Sequence, residues 1–209
     1  GHAPIEDFIV EAISSRFTHY GVSPHSPLPF SSSANMNREH VADYLTEMNR
    51  LKAEYGKQIH LFTSMEVDYL DEWGPSSPYF QNLPLDYRIG SVHFIPSFNS
   101  DEYVDIDGDF QNFSRKMNRY FEGDIERVVR SFYAQSEKMV EKGGFDIIGH
   151  FDKIGHNASL YCPGIEEQPW YARLVERLFE AIMDHHLVIE ISTKKWVTDH
   201  RLFPHVRYF

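Results

Sequence analysis

The stretch GGFDIIGHFDKIGH, residues 143–156, joins a predicted buried strand to polar chemistry. Phe145, Ile147 and Ile148 are apolar and β-prone, and His150 follows them directly. Histidine is a common metal ligand and proton shuttle, so an imidazole at this point indicates a functional position. A single histidine at a strand end is more often a hydrogen-bonded structural group. The ends of the other predicted strands therefore test whether His150 is functional or structural.

Three further apolar stretches end in the same way. GVSPH ends in His25, LFTSMEVD carries Glu66 and Asp68, and IGSVH ends in His93. In β/α barrels the carboxyl ends of the strands build the active site, because the loops converge there. Imidazoles and a carboxylate from four strands predict a site for one or more divalent metal ions. Asp68 shares the face of Glu66 if the strand continues that far.

The order of elements is mostly strand, then helix, then strand. Apolar runs such as DIIG and LVIEI indicate strands buried on both faces, which is typical of a parallel sheet or barrel with helices outside. Helices are predicted from Ile5, from Asn37 to about Tyr55 and after Asp124. The acidic segment DEYVDIDGDF is predicted to be a solvated turn, and His156 to lie in a loop.

Composition narrows the function classes. The 209 residues fit one domain, and a net charge of −11 without a Lys/Arg-rich run argues against nucleic acid as a partner. No apolar run reaches the length of a membrane span, and the N-terminus lacks signal-peptide character, so no membrane partner is predicted. The single cysteine, Cys162, suits a reducing, cytoplasmic setting and has no evident base to make it a nucleophile.

Taken in order, GVSPHSPLPF, MEVDYL, GSVHFI and DIIGHFDKI resemble the histidinol-phosphatase branch of the PHP (polymerase and histidinol phosphatase) superfamily. The resemblance implies one PHP-type domain over residues 1–209, a distorted (β/α)7 barrel. It also implies two or three divalent ions (zinc, iron or manganese) in the barrel mouth. By motif, His25, Glu66, His93 and His150 become the catalytic metal ligands, with Glu66 bridging the ions. His2, in GHAP, becomes a further ligand.

The sequence also departs from the family pattern. The family opens with a strand carrying H-x-H and closes with one carrying D-x-H; by this resemblance the chain begins just after the first of these strands and stops short of the second. Pro24 stands where the family commonly has an acid, and Ser192 where related sequences often have Asn. We therefore expect the first and last barrel strands to be missing and the chain to be incomplete at both ends. A degenerate member that has lost its chemistry is the competing interpretation.

The function that the resemblance implies is a metal-dependent phosphomonoesterase. It would hydrolyse L-histidinol phosphate to L-histidinol and phosphate in histidine biosynthesis, by attack of a metal-bound hydroxide. Asp152 is predicted to orient an imidazole ligand, with a loop-capping role as the alternative. Lys194, Lys195 and Arg201 follow the last predicted strand and are the candidates from which one contact to the phosphate of this small-molecule substrate is predicted, with solvated loop residues as the alternative. The oligomeric state is left open.

Three other functions remain open at this point. The chain could be a PHP phosphoesterase acting on another phosphorylated substrate, such as a nucleotide or a phosphopeptide. It could be a catalytically degenerate PHP-fold binding module, which metal content would reveal. It could also hydrolyse C–N bonds with a similar barrel and metal site, which substrate tests would distinguish from phosphate release.

Overall fold

A five-stranded parallel sheet organises the computed structural model, which describes residues 3–208. Its strands run in the spatial order β1-β2-β3-β6-β7, and each neighbouring pair is parallel. Two further strands, β4 and β5, form an antiparallel hairpin. The bounds are β1 His19–Val22, β2 His60–Asp68, β3 Tyr87–Ser91, β4 Phe94–Pro96, β5 Tyr103–Asp105, β6 Ile147–Ile148 and β7 Val188–Ile189. The predicted α/β architecture with a parallel, barrel-type sheet is confirmed.

Helices follow most of the strands and cover the sheet. Their bounds are α1 Ile5–Ser14, α2 Val41–Tyr55, α3 Pro78–Gln81, α4 Phe110–Tyr120, α5 Ile125–Lys142, α6 Ile154–Tyr161, α7 Pro169–Asp184 and α8 Trp196–Asp199. Short 3-10 turns lie at Arg38–His40, Ile165–Glu167 and Val206–Tyr208. Between residues 3 and 208, no helix is both long and apolar enough to cross a membrane.

The two faces of the sheet have opposite character. Strand β2 alternates, so that Met65 and Val67 are fully buried in the core shared with α1 and α2, whereas Glu66 points the other way. A second core joins α4, α5 and α7 to the remaining strands, with residues such as Phe113, Tyr133, Ile148 and Leu178 at its centre. The helices therefore take up the apolar face of the sheet and leave the other face free for polar side chains.

Two predictions about the middle of the chain are wrong. The acidic segment expected to be a solvated turn contains β5, and its Val104 and Ile106 are buried. It is followed by α4, whose first turn is capped by Asp109 through a hydrogen bond from the backbone N–H of Asn112. The segment before α4 has too few apolar residues to show a clear period, whereas Phe110, Phe113 and Met117 of α4 recur at helical spacing. His156 likewise lies on α6 and not in a loop.

Helix α2 is tied to the first two strands by one side chain. The buried hydroxyl of Tyr44 lies 2.8 Å from the carbonyl oxygen of Val22 and 2.7 Å from that of Ser64. Val22 ends β1 and Ser64 lies in β2. The hydroxyl therefore contacts both strands shortly before they reach His25 and Glu66. The contact fixes the helix against both strands.

We expect Tyr44→Phe to lower the free energy of unfolding by about 1–3 kcal/mol, because buried carbonyls lose a hydrogen-bond donor. Urea unfolding of the metal-free chain measures the loss. Tyr55→Phe is the matched control. Its hydroxyl bonds Glu6 in a more open setting, and its removal should cost less. Equal losses in the two variants would contradict the role given to Tyr44.

Candidate metal centre

The structure brings four of the predicted strand-end residues together in one place. His25 forms an isolated parallel bridge with Glu66 of β2, beyond the end of β1. His93 lies between β3 and β4, and His150 lies two residues after β6. Strands β1, β2, β3 and β6 are parallel, so their carboxyl ends meet at one edge of the sheet. His2, the fifth predicted ligand, lies outside the described residues.

One oxygen of Glu66 forms a tight triangle with two imidazoles. Glu66 Oε1 lies 3.0 Å from His150 Nε2 and 3.4 Å from His93 Nε2, and the two ring nitrogens are 3.2 Å apart. A tetrahedral cation with bonds of about 2.0–2.1 Å has ligand atoms about 3.3 Å apart. The donor set and its spacing therefore fit a divalent metal ion.

The other oxygen of Glu66 faces a third imidazole. Glu66 Oε2 lies 3.7 Å from His25 Nε2, and the ring of His25 stands edge-on to that of His93 with centroids 4.9 Å apart. Each carboxylate oxygen thus has its own histidine neighbours. A carboxylate whose two oxygens face different histidines has the arrangement needed to bridge two ions.

Asp68 holds the ring of His93 in place. Asp68 Oδ1 lies 2.6 Å from His93 Nδ1, and the Asp68 residue is 1% exposed. A carboxylate on Nδ1 fixes the ring orientation and leaves Nε2 to serve as the metal ligand. Asp68, His25 and His93 also form a second set of potential donors, but this short hydrogen bond favours an orienting role for Asp68. The two-residue spacing from Glu66 is the sequence signal for its position.

Three further residues of the site have no strong signal in the sequence. The hydroxyl of Ser91 donates a 2.8 Å hydrogen bond to Glu66 Oε1. Gly149 lies beside it, and a Cβ there would overlap that hydroxyl, so the glycine gives Ser91 its room. Glu190, just after β7, accepts a 3.0 Å hydrogen bond from the backbone N–H of His150. These contacts depend on strands that are distant in sequence.

The electrostatics of the metal-free site are those of a buried anion among imidazoles. Burial would raise the pKa of Glu66, but the hydrogen bond from His150 and the charge of His93 hold this pKa well below its usual value. Burial would lower the pKa of His93, yet the adjacent Asp68 and then Glu66 raise it to about 9. For His25 burial outweighs the attraction of Glu66, so its pKa is lowered.

A cavity of about 520 Å³ opens over the site. His25, Asp68 and His93 form part of its wall together with Lys194. The rest of the lining comes from the loop after His25 and from the hairpin region, including Phe30, Asn35, Phe94, Tyr103, Asp105 and Asp107. The volume suits a small molecule.

The other predicted substrate contacts lie elsewhere. Lys195 and Arg201 line a second cavity, to which Lys194 does not belong. Lys195 Nζ is 3.3 Å from the carboxylate of Asp199. Arg201 is largely buried and pairs with Glu166 at 2.7 Å. Both cations therefore already have acidic partners.

Asp152 bonds a backbone N–H and not an imidazole, which favours the loop-capping alternative. It is fully buried, and its Oδ2 accepts a 2.8 Å hydrogen bond from the backbone N–H of His205. Burial raises the pKa of Asp152 to about 7. This contact ties the segment after α8 to the loop that follows His150. Among the described residues, the carboxylate that orients a site imidazole is Asp68.

The parallel sheet and the clustered donors define an α/β protein with a candidate metal centre. The family model for the PHP domain matches residues 1–194. The chain therefore belongs to the PHP domain family, as its strand-end motifs predicted.

Curated relatives carry histidinol-phosphatase names. The Bacillus subtilis histidinol-phosphatase is 29% identical over 203 residues, which cover 90% of this chain and 74% of the relative. A Deinococcus radiodurans protein named a probable histidinol-phosphatase is 24% identical over 210 residues, covering 94% of this chain and 70% of the relative. The relatives are thus longer than this chain.

Solved structures share the fold. A provisionally named histidinol phosphatase from Listeria monocytogenes matches with a TM-score of 0.83 at 15% identity, covering 99% of this chain and 83% of that chain. The histidinol phosphate phosphatase of Lactococcus lactis was solved with zinc, L-histidinol and phosphate. It matches with a TM-score of 0.68 at 19% identity, covering 94% of this chain and 69% of that chain.

We expect His93 in the metal-free chain to titrate with a pKa of about 9, above its ordinary 6.5, and Asp68→Asn to lower that pKa. Because the folded-state pKa is raised, the charged ring stabilises the fold fully below pH 6.5, and this stabilisation is lost as the pH rises through about 9. NMR of the histidine ring carbons against pH measures the shift. Asp184→Asn, at an exposed aspartate that ends α7, is the control. An unchanged His93 titration in Asp68→Asn would refute the pairing.

Proposed function

We propose that this chain is a metal-dependent phosphomonoesterase that hydrolyses L-histidinol phosphate to L-histidinol and phosphate. The observation that supports it most is the meeting of Glu66 with three imidazoles under a small-molecule cavity. The names of the curated relatives support the same substrate. In this proposal the reaction belongs to histidine biosynthesis in the cytoplasm, whose reducing conditions suit a chain with one cysteine.

The proposed ligands are His25, Glu66, His93 and His150, together with His2. Mixed imidazole and carboxylate donors accept zinc, iron or manganese, so any of these ions suits the site, at two or three per chain. When bound, such ions lower the pKa of water and neutralise charge on a phosphoryl group. The chain's own residues hold the donors in position, with Asp68 on His93 and Ser91 on Glu66.

Lys194 is the proposed contact for the substrate phosphate. It is the one lysine in the lining of the cavity that His25 and His93 share. A negative overall charge of −11 does not oppose an anionic substrate, because bound cations and a nearby lysine dominate the local field. Lys195 and Arg201, which were predicted alongside it, already pair with acids and are given no part in this step.

We expect Glu66→Gln to reduce phosphate release from L-histidinol phosphate by at least about a hundredfold, because outer partners of a metal ligand alone can cost that much. Phosphate release and bound metal are measured together, before and after chelation. Glu39→Gln, an exposed glutamate, is the control for a charge change alone. Activity that survives thorough chelation would overturn the metal-dependent mechanism. If phosphate were released only from other phosphate esters, the proposed phosphomonoesterase chemistry would stand, but L-histidinol phosphate would not be the substrate.

We expect Lys194→Ala to raise KM for L-histidinol phosphate by about tenfold, since a hydrogen bond to a charged group contributes about 1.5–3 kcal/mol. Lys195→Ala is the matched control next to it, and its KM should stay near the native value because its ammonium pairs with Asp199. Steady-state kinetics on both variants makes the comparison. A KM that rises in Lys195→Ala alone would assign the phosphate contact to the other cavity.

A further inference from the structure

The loop that follows His25 returns to the metal centre at Asn35, whose side-chain amide makes the contact. After His25 the chain leaves the site, lines the cavity with Phe30 and its neighbours, and comes back at Asn35. The backbone N–H of Met36 then donates a 3.1 Å hydrogen bond to the carbonyl of His25 itself. The loop therefore closes on the residue from which it started.

Asn35 uses both amide hydrogens on groups that hold ligands. Its Nδ2 lies 2.8 Å from the carbonyl oxygen of Ser26, the residue next to His25. The same nitrogen lies 2.7 Å from Oδ2 of Asp68, whose Oδ1 bonds the ring of His93. An NH₂ group has two hydrogens, so the two acceptors take both of them. One side chain thus joins the position of His25 to that of His93.

The remaining contacts keep this amide in one orientation. The hydroxyl of Ser32 donates a 2.8 Å hydrogen bond to Asn35 Oδ1, so the oxygen and nitrogen sides of the amide have distinct partners. Ser26 is buried, and its hydroxyl accepts from the backbone N–H of Asp68 at 3.3 Å. An aspartate at position 35 would have the same shape but would place an acceptor against two acceptors.

We propose that Asn35 is a positioning residue of the metal centre, which sets the distance between His25 and His93 through Ser26 and Asp68. This inference rests on the metal site of the proposed function, but on neither its substrate nor its reaction. Outer partners of metal ligands contribute about 10–100-fold to metal affinity. Removal of the Asn35 amide should therefore lower the affinity for the metal ion while the chain still folds.

The test compares zinc affinity of the full chain and its variants by competition with a chromophoric chelator. Asn35→Ala and the isosteric Asn35→Asp should each weaken zinc binding by about tenfold or more. Asn37→Ala, an exposed asparagine of the same loop, is the matched control and should bind zinc as the native chain does. Thermal unfolding of each metal-free variant reports folding. If Asn35→Asp does not fold, Asn35→Ala carries the comparison.

Two further readouts separate positioning from general stability. The visible absorption bands of the cobalt-substituted chain should shift in Asn35→Ala and stay unchanged in Asn37→Ala, because they report ligand geometry. In a double-mutant cycle with Asp68→Ala, the combined loss of zinc affinity should be smaller than the product of the single losses, because Asn35 acts on His93 through Asp68. Zinc affinity within twofold of native in Asn35→Ala, or fully independent losses in the cycle, would overturn the proposal. Neither measurement uses a phosphate ester, so a wrong substrate would leave the result intact.

Discussion

A carboxylate placed among three imidazoles is the constraint on which the rest of this site depends. Glu66 is mostly buried, and an isolated buried charge of this kind would be strongly destabilising. It persists because His150 and His93 lie at hydrogen-bonding and ion-pairing distances and Ser91 donates to the same oxygen. The strand order serves this need, since neighbouring parallel strands bring these groups to one edge of the sheet. The apolar helices on the opposite face hold that arrangement.

Much of the site could be read from the sequence, for a physical reason. A single polar residue at the end of an apolar run is more often structural, but several such endings on parallel strands meet at one edge of the sheet and indicate a shared site. His25, Glu66, His93 and His150 each follow or interrupt such a run, and the structure places all four together. The parallel sheet was predictable from apolar runs such as DIIG and LVIEI, but the side chains of Val188 and Ile191 are exposed, so LVIEI does not form a strand buried on both faces as predicted. The acidic segment before α4 was not, because its buried residues are too few to reveal a period against a polar background.

The supporting contacts were less visible because they depend on pairs that the chain brings together only in three dimensions. Ser91 and Asn35 are ordinary polar residues in the sequence, and nothing in their spacing marks them. Glu190 interrupts the apolar run LVIEI, as Glu66 interrupts its own strand, so its position was the available signal. Asp152 and Arg201 show the opposite case. Both looked functional from their positions after strands, yet their partners are the backbone of His205 and the carboxylate of Glu166. A residue's position at a strand end indicates the edge on which it lies but not the direction of its side chain.

The wide separation of the ligand-bearing strands along the polypeptide has a consequence for how the protein matures. Pairing of β3 with β6 must wait until the hairpin, α4 and α5 have been made, so this contact is non-local and slow to form. In a nascent polypeptide on the ribosome, His25 and Glu66 emerge early. The triangle of Glu66, His93 and His150 can form only after β6, which precedes His150, has emerged. Under the proposed function, cation loading would be a late event in biogenesis, and an ion held by this triangle would mark a molecule whose central sheet is already assembled.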